Sequence, residues 1–289
     1  MKKILSFSLA ICFVASLFAF DWPQDNVNKD SYSSYFGQKH GEVISTSLIF
    51  SEPSNIKAAE EGRILIIMNS DDEDSDFFPS TLGTSVIISH DDNFMSVYGN
   101  LDETSITYNP KTNAKGVVES GEKLGKSGKS GWAEDKANLE FQIIDTNNNT
   151  AINPKILMPR SKTELPLYLN GIMLQNKGGK YFDINKVKTY ENGLYRVYQK
   201  RNKVASPYKT SVAINGITID QITYDTVSQE NGKSCVSGKK KYTSHDIYPN
   251  DDLQLLGEIN LTPGKATLTL YSEDILGNIK ELNYYISIY

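Results

Sequence analysis

Three histidines are the residues of this chain best suited to metal or proton chemistry, and they lie far apart. They are His40, His90 and His245. Imidazole binds zinc and exchanges protons near neutral pH, but no pair of these histidines has the short spacing of metal ligands on one element. Each is therefore predicted to be a structural residue that makes hydrogen bonds.

Residues 71–76 form an acidic run that resembles the start of a calcium loop. With its alternate aspartates as the first three ligands, the sixth position would be Phe77, where the loop needs glycine. The twelfth would be Gly83, where it needs a bidentate glutamate. The run is predicted to be a solvated acidic loop.

Residues 121–131 are rich in glycine, lysine and serine and suggest a phosphate-binding loop. That loop requires glycine five residues before a Gly-Lys-Ser triplet. The two triplets here have Lys123 and Ser120 at that position. The segment is predicted to be a glycine-rich turn in an all-β domain.

Cys235 is the one cysteine outside the first 20 residues, so no disulfide is expected within the exported chain. No histidine stands at the spacing of a catalytic pair. A loop or half-buried thiol is predicted, not a nucleophile.

Composition bounds the class of protein. The 289 residues carry a formal charge of -5, which argues against a nucleic-acid partner because phosphate binding needs a basic stripe. The length suits about two domains. Seventeen tyrosines, two tryptophans and many short Val/Ile/Thr runs favour sheet.

Residues 1–20 have the features of a secretory signal. Lys2 and Lys3 are followed by an apolar run to Phe18, and Ala19 is a small residue suited to cleavage. Once this leader is cleaved, no transmembrane span is expected, although an uncleaved anchor stays open. The protein is predicted to cross the inner membrane and to be periplasmic or associated with the cell envelope.

Short strands separated by turns are predicted along the rest of the chain, without sustained helical periodicity. Residues 21–34 are a predicted linker. Residues 64–68 are predicted to be a buried strand, and residues 85–89 and 95–98 to form a hairpin. A further strand is predicted at residues 139–144.

In the second half, turns are expected at Asn170-Gly171 and, more strongly, at Asn215-Gly216, because Asn-Gly adopts the positive φ values of a tight hairpin. Alternation in residues 266–271, a turn at 274–278 and a strand at 284–289 predict a sandwich. These last strands resemble bacterial immunoglobulin-like modules.

Six segments in the right order resemble the lysostaphin/LytM-like family of peptidoglycan zinc endopeptidases. Phe36-Gly37 matches the opening Phe-Gly of the family, and Asn153-Pro154 matches its closing Asn-Pro. Between them lie matches to its glycine-rich and strand motifs at residues 56–64, 83–101, 117–131 and 139–143. The resemblance implies an antiparallel β-sheet, or barrel-like, domain with a groove at residues 35–160. An immunoglobulin-like β-sandwich at residues 161–289 would follow it.

The same resemblance implies that the family's metal chemistry is lost. The positions of the zinc-binding His and Asp of the first motif fall at Val43 and Ser47, and the central His position falls at Asn100. The last pair of histidine positions falls at Asn138 and Glu140. A shift of alignment would recover His40 as a ligand but would put Ile44 at the Asp position.

A single carboxylate cannot replace that ligand set. Catalytic zinc needs three N, O or S ligands and a water, and Glu140 is the only strong donor left. Binding free energies of roughly 10–16 kcal/mol, known for structural zinc, are out of reach for one carboxylate. No cofactor is therefore expected.

The first hypothesis is a non-catalytic, peptidase-like envelope protein whose groove binds peptidoglycan or a partner such as a wall hydrolase. Its vestigial groove would consist of Val43, Ser47, Asn100, Asn138, Glu140 and Gln142. The second hypothesis is an active zinc peptidase with unusual ligands such as His40, His90 and Glu140. The third is a structural envelope protein with a filled groove.

Overall fold

The computed structural model describes residues 20–69, 80–108, 113, 115–131, 137–203 and 205–289. Within this part of the chain, the α-helices are two single turns of four residues each. Nearly all other regular structure is strand. The prediction of an all-β protein is confirmed. The predicted signal up to residue 19 and the acidic run at residues 71–76 lie outside the described residues.

The first half of the chain contains twelve of the described strands, one α-helical turn and a 3-10 turn at Glu103–Ser105. In chain order they are β1 (Tyr32–Ser34), β2 (Lys39–His40), β3 (Val43–Ile44), β4 (Leu48–Phe50), β5 (Asn55–Lys57), β6 (Gly62–Met68), β7 (Ser85–Ser89), β8 (Phe94–Gly99), β9 (Val117–Val118), β10 (Lys123–Lys126), β11 (Glu140–Asp145), β12 (Thr150–Ile152) and α1 (Pro154–Leu157).

The second half contributes eleven further strands and a second helical turn. They are β13 (Met173–Asn176), β14 (Tyr181–Asp183), β15 (Thr189–Tyr190), β16 (Gly193–Lys200), β17 (Lys209–Ile214), β18 (Ile217–Glu230), β19 (Lys233–Ser237), β20 (Lys241–Thr243), α2 (Ser244–Ile247), β21 (Leu253–Leu261), β22 (Gly264–Glu273) and β23 (Ile279–Ile288).

The predicted central hairpin is formed by β7 and β8. Val86 pairs with Tyr98 in an antiparallel register, and Asn93 takes the positive φ of 63° that the tight turn requires. On its other side β8 pairs with β11, and β11 in turn pairs with β4. The hairpin is therefore the middle of an antiparallel sheet and not its edge.

β6 pairs with β7, but its outer edge is only partly covered. β9 pairs with Gly62 and Arg63 alone, which leaves Leu65 and Ile66 about half exposed. The prediction of a strand here is confirmed, whereas the prediction that it is buried is wrong.

The two halves of the chain share one sheet and one core. Ala151 and Ile152 of β12 pair with Val227 and Thr226 of β18, which joins the first half to the sheet of the second. The larger apolar core draws side chains from both halves. Neither half buries that core alone.

The segment predicted as a linker, residues 21–34, is packed against the first half. β1 pairs with β4, and the Trp22 indole donates a 2.8 Å hydrogen bond to the Pro159 carbonyl oxygen. Phe20 and Tyr32 are buried. Their aromatic surface is removed from water, and this favours packing over an extended connection.

The second half is a two-sheet sandwich around its own smaller core. One sheet has the order β14-β13-β16-β21, and the other contains β15-β23-β22-β17-β18. The Asn215-Gly216 hairpin between β17 and β18 is confirmed, with φ values of 50° and 81°. The first predicted turn differs: β13 pairs with β14 beyond it, so the Asn170-Gly171 turn does not join two strands. The immunoglobulin-like assignment stays a prediction.

Candidate functional site

A groove lies over the exposed face of the sheet that β4, β11 and β8 form. Successive side chains of a strand point to opposite faces, and Phe141 and Ile143 face the core. Glu140 and Gln142, which alternate with them, are half-buried and point into the groove. Ile49 pairs with Glu140 across the sheet and lies on the same face.

These side chains form part of the lining of a cavity of about 550 Å³. Four of the six predicted groove residues belong to it: Val43, Ser47, Glu140 and Gln142. Val43 is 52% exposed, whereas Ser47 is buried and its hydroxyl lies 3.4 Å from that of Ser45. The remaining lining residues are His40, Ile44, Ser45, Thr46, Ile49, Thr81 and Leu82.

One wall of the groove is the β2–β3 hairpin, residues 37–45, which the second half of the chain holds in place. The Tyr248 hydroxyl donates a 2.6 Å hydrogen bond to the Gly37 carbonyl oxygen. The Gln38 amide donates to the carbonyl oxygens of Asn202 and Ala205, at 2.9 and 3.1 Å. The position of this wall therefore depends on long-range contacts.

Two of the predicted groove residues, Asn100 and Asn138, are buried and do not belong to the cavity lining. Their exposed fractions are 1% and 2%. The Asn100 amide donates to the backbone and side-chain oxygens of Asn138, at 2.8 and 2.9 Å, and its oxygen accepts from the Gly131 N–H. The prediction that they contact a ligand is corrected: both join neighbouring loops instead of lining the groove.

Asn100 also has an unusual backbone. Its φ is 60°, in the left-handed region that asparagine enters more readily than most residues. Nearby, Gly83 is held so close to the next loop that an added Cβ would lie 2.3 Å from the Gly131 nitrogen. The glycine-rich segment therefore closes tightly on the end of the hairpin, as a turn and not as a phosphate loop.

The residues of the groove do not fit a catalytic zinc ion. Val43 has no lone pair, Ser47 is a neutral hydroxyl, and Glu140 is the single carboxylate among the described lining residues. Across the part of the chain that the structure describes, no three His, Cys, Asp or Glu side chains converge as a metal group would need. No catalytic step through zinc can be derived from this donor set.

His90, named in the alternative zinc hypothesis, belongs to a different cavity from His40 and Glu140. Its Nδ1 lies 2.7 Å from the Glu61 carbonyl oxygen and its Nε2 lies 2.8 Å from the Ser96 hydroxyl. Burial, the largest influence, lowers the pKa of His90 below its ordinary value. His90 is a structural histidine, as predicted, and these three side chains do not form one ligand set.

Cys235 is buried more deeply than predicted, at 1% exposure. Burial raises the pKa of its thiol, which keeps the sulfur protonated and poorly nucleophilic.

Several groove residues escaped prediction because no local pattern marks them. Thr81 and Leu82 precede β7, and Thr46 lies between β3 and β4, in segments without a motif. Strand alternation alone could have placed Ile49, which shares a face with Glu140.

The fold and groove define a peptidase-like domain, and comparison with known proteins gives its family. A family model described as peptidase family M23 matches residues 44–154. The chain therefore belongs to peptidase family M23 through this domain. A second family model matches residues 166–289. An uncharacterized protein of Treponema pallidum (strain Nichols) is 31% identical over 133 residues, which cover 43% of this chain and 86% of that relative.

Solved structures with similar folds have low overall superposition scores. A crystal structure of the SpoIIIAH and SpoIIQ complex has a TM-score of 0.37 at 19% identity, covering 48% of this chain and 99% of that one. A zinc-containing peptidase from Vibrio cholerae has a TM-score of 0.35 at 19% identity, covering 45% of this chain and 37% of that one.

No helix within the described residues is long and apolar enough to cross a membrane.

Proposed function

We propose that this protein is a non-catalytic member of its family that binds peptidoglycan peptide, in the cell envelope, through its groove. The observation that carries the proposal is the cavity itself. It keeps a volume of about 550 Å³ and polar groups at its floor, while the family's metal-ligand positions hold side chains that do not fit zinc. A groove that stays open but lacks its reactive group suits binding better than hydrolysis.

The polar groups at the floor are suited to an extended peptide. Gln142 offers both an amide donor and an acceptor, and Glu140 offers acceptors only. Ile49, Val43 and Leu82 supply apolar surface beside them. Small-molecule and peptide sites combine such walls with a few convergent polar groups.

The envelope location rests on the predicted signal at residues 1–20 and on the substrate class that the family resemblance implies. By binding peptidoglycan in this way, the protein would regulate a wall hydrolase. Export is checked by locating the full-length protein in cell fractions, where recovery in the cytoplasm alone would refute it.

Binding is tested by co-sedimentation of the purified protein with isolated peptidoglycan sacculi. The wild type is expected to sediment with the sacculi, and the Glu140→Ala, Gln142→Ala double variant to stay largely in the supernatant. Glu281→Gln is the control, because Glu281 lies on β23 and is not part of the groove lining. This variant should sediment with the sacculi as the wild type does. Zinc-dependent release of peptides from the sacculi would overturn the proposal.

A further inference from the structure

The fixed charge of the described groove lining is negative. Glu140 is its single carboxylate, and none of the described lining residues is a lysine or arginine. The other titratable lining residue is His40, on the exposed β2–β3 hairpin. Among the described lining residues, a ligand that fills this cavity therefore meets one fixed negative charge and no fixed positive charge.

The Glu140 carboxylate has no strong partner within the described part of the protein. Its one hydrogen bond there is from the Gln142 amide, at 3.4 Å, near the limit for such a bond. It takes no part in the ion pairs that this part of the chain makes. Most of its acceptor capacity is available to a ligand.

The position of Glu140 in the sheet fixes the direction in which its carboxylate can accept hydrogen bonds. It lies on a strand paired on both sides, with Gly99 of β8 and Ile49 of β4, so its backbone is fixed. Gly99 has no side chain of its own, and Leu82 packs against it on one side of Glu140. Ile49 gives an apolar neighbour on the other side. A partly buried carboxylate between small and apolar neighbours favours a compact cation on a hydrocarbon stem.

We propose that the groove selects peptides that carry a primary ammonium group on a side chain, with Glu140 as the counterion. The inference rests on the proposed binding function and names the chemistry of its ligand. A lysine-like amine has three donors and an apolar stem, which match the carboxylate and the walls formed by Val43, Ile49 and Leu82.

The experiment compares three blocked tripeptides in isothermal titration with the full-length exported protein. The peptides are acetyl-Ala-Lys-Ala-amide, its Nε-acetyl-lysine form and its norleucine form, which differ only at the amine. The lysyl peptide is expected to bind about tenfold or more tightly than the other two, since a charge-assisted hydrogen bond is worth that factor.

Two carboxylate variants show where the selectivity arises. Glu140→Gln is expected to bind all three peptides equally, because it keeps the shape of the side chain and removes the charge. Glu42→Gln, at the tip of the β2–β3 hairpin and 95% exposed, should keep the preference for lysine. Matching thermal unfolding curves show that both variants are folded.

The outcomes separate this inference from the proposed function. Preference for the lysyl peptide in the wild type and its loss in Glu140→Gln support both. Binding to sacculi with no preference among the peptides, or with no peptide bound, overturns the inference and leaves the proposed function standing. A preference that survives in Glu140→Gln also overturns it. Failure to bind either sacculi or peptides overturns both.

Discussion

The side-chain amide of Asn100 is bonded to Asn138, through both its backbone and its side-chain oxygen, at 2.8 and 2.9 Å. The family resemblance implies that these residues stand at two of the family's histidine positions. Their amides face each other in the protein interior instead of facing a ligand. In this structure the two side chains therefore join neighbouring loops instead of lining the groove.

Substitution of Asn100 is expected to destabilise the fold in two separable ways. Asn100→Gly removes the buried amide, leaves the partly buried Gly131 N–H without this acceptor and should cost about 2 kcal/mol. Asn100→Ala should cost about 1 kcal/mol more, because alanine is strained at a φ of 60° whereas glycine is not. Urea unfolding of both variants measures the two costs. Equal stability of the alanine and glycine variants would contradict the backbone argument.

The hydrogen bond from Tyr248 to Gly37 predicts that the second half of the chain stabilises the groove wall. Tyr248→Phe leaves a buried carbonyl oxygen without that donor and should cost about 1–2 kcal/mol. Amide hydrogen exchange at residues 37–45 should accelerate. Tyr285→Phe is the matched control, since Tyr285 is 78% exposed and its change should be within about 0.5 kcal/mol. If the two variants behave alike, the wall is held by other contacts.

The stability of the protein is expected to fall in mild acid because of His90. Its neighbours are the Glu61 carbonyl, the Ser96 hydroxyl and the edge-on ring of Phe20. The hydrogen bond to the Glu61 carbonyl and the charges of Glu60 and Asp91 raise the pKa of His90, but burial outweighs them. Burial lowers its pKa in the folded state, so the folded protein takes up a proton less readily than the unfolded chain. The contribution of neutral His90 to the free energy of unfolding is complete above the ordinary histidine pKa of about 6.5. It declines as the pH falls below that value.

The check is urea unfolding of the wild type and His90→Gln at several pH values from 7.5 to 5. Glutamine does not titrate, so the free energy of unfolding of the variant should vary less across this range. A variant that loses stability as steeply as the wild type would show that other groups are responsible.

The sequence was informative where structure is decided locally. The β7–β8 hairpin and the Asn215-Gly216 turn follow from alternation and from residues that accept positive φ, and both are present. Strand alternation fixes the face on which a side chain lies, so Glu140 and Gln142 were expected on one face of β11, and both line the cavity. Their role as binding residues stays a prediction.

Contacts between distant segments could not be predicted in this way. The orientation of the Asn100 amide depends on Gly131 and Asn138, more than 30 residues further along the chain, and a motif does not report which of its positions bond to each other. The polar composition of residues 21–34 indicated a linker, yet Trp22 and Tyr32 pack against the core. The wall contacts made by Tyr248 join residues 211 positions apart, and no periodicity reports on them.

The shared core predicts that the peptidase-like half does not fold alone. Tyr224, Val227 and Tyr248 of the second half are buried in the same apolar cluster as Phe36 and Phe141. A chain ending at residue 160 would expose that surface and would lose the pairing of β12 with β18. Such a fragment is expected to be aggregated or to show poorly dispersed amide NMR signals.

The full-length chain should unfold in a single transition for this core, seen at the same urea concentration by tryptophan fluorescence and by far-UV circular dichroism. A soluble fragment with well-dispersed signals would show instead that the first half carries a sufficient core of its own, and that the contacts between the halves only position the groove wall.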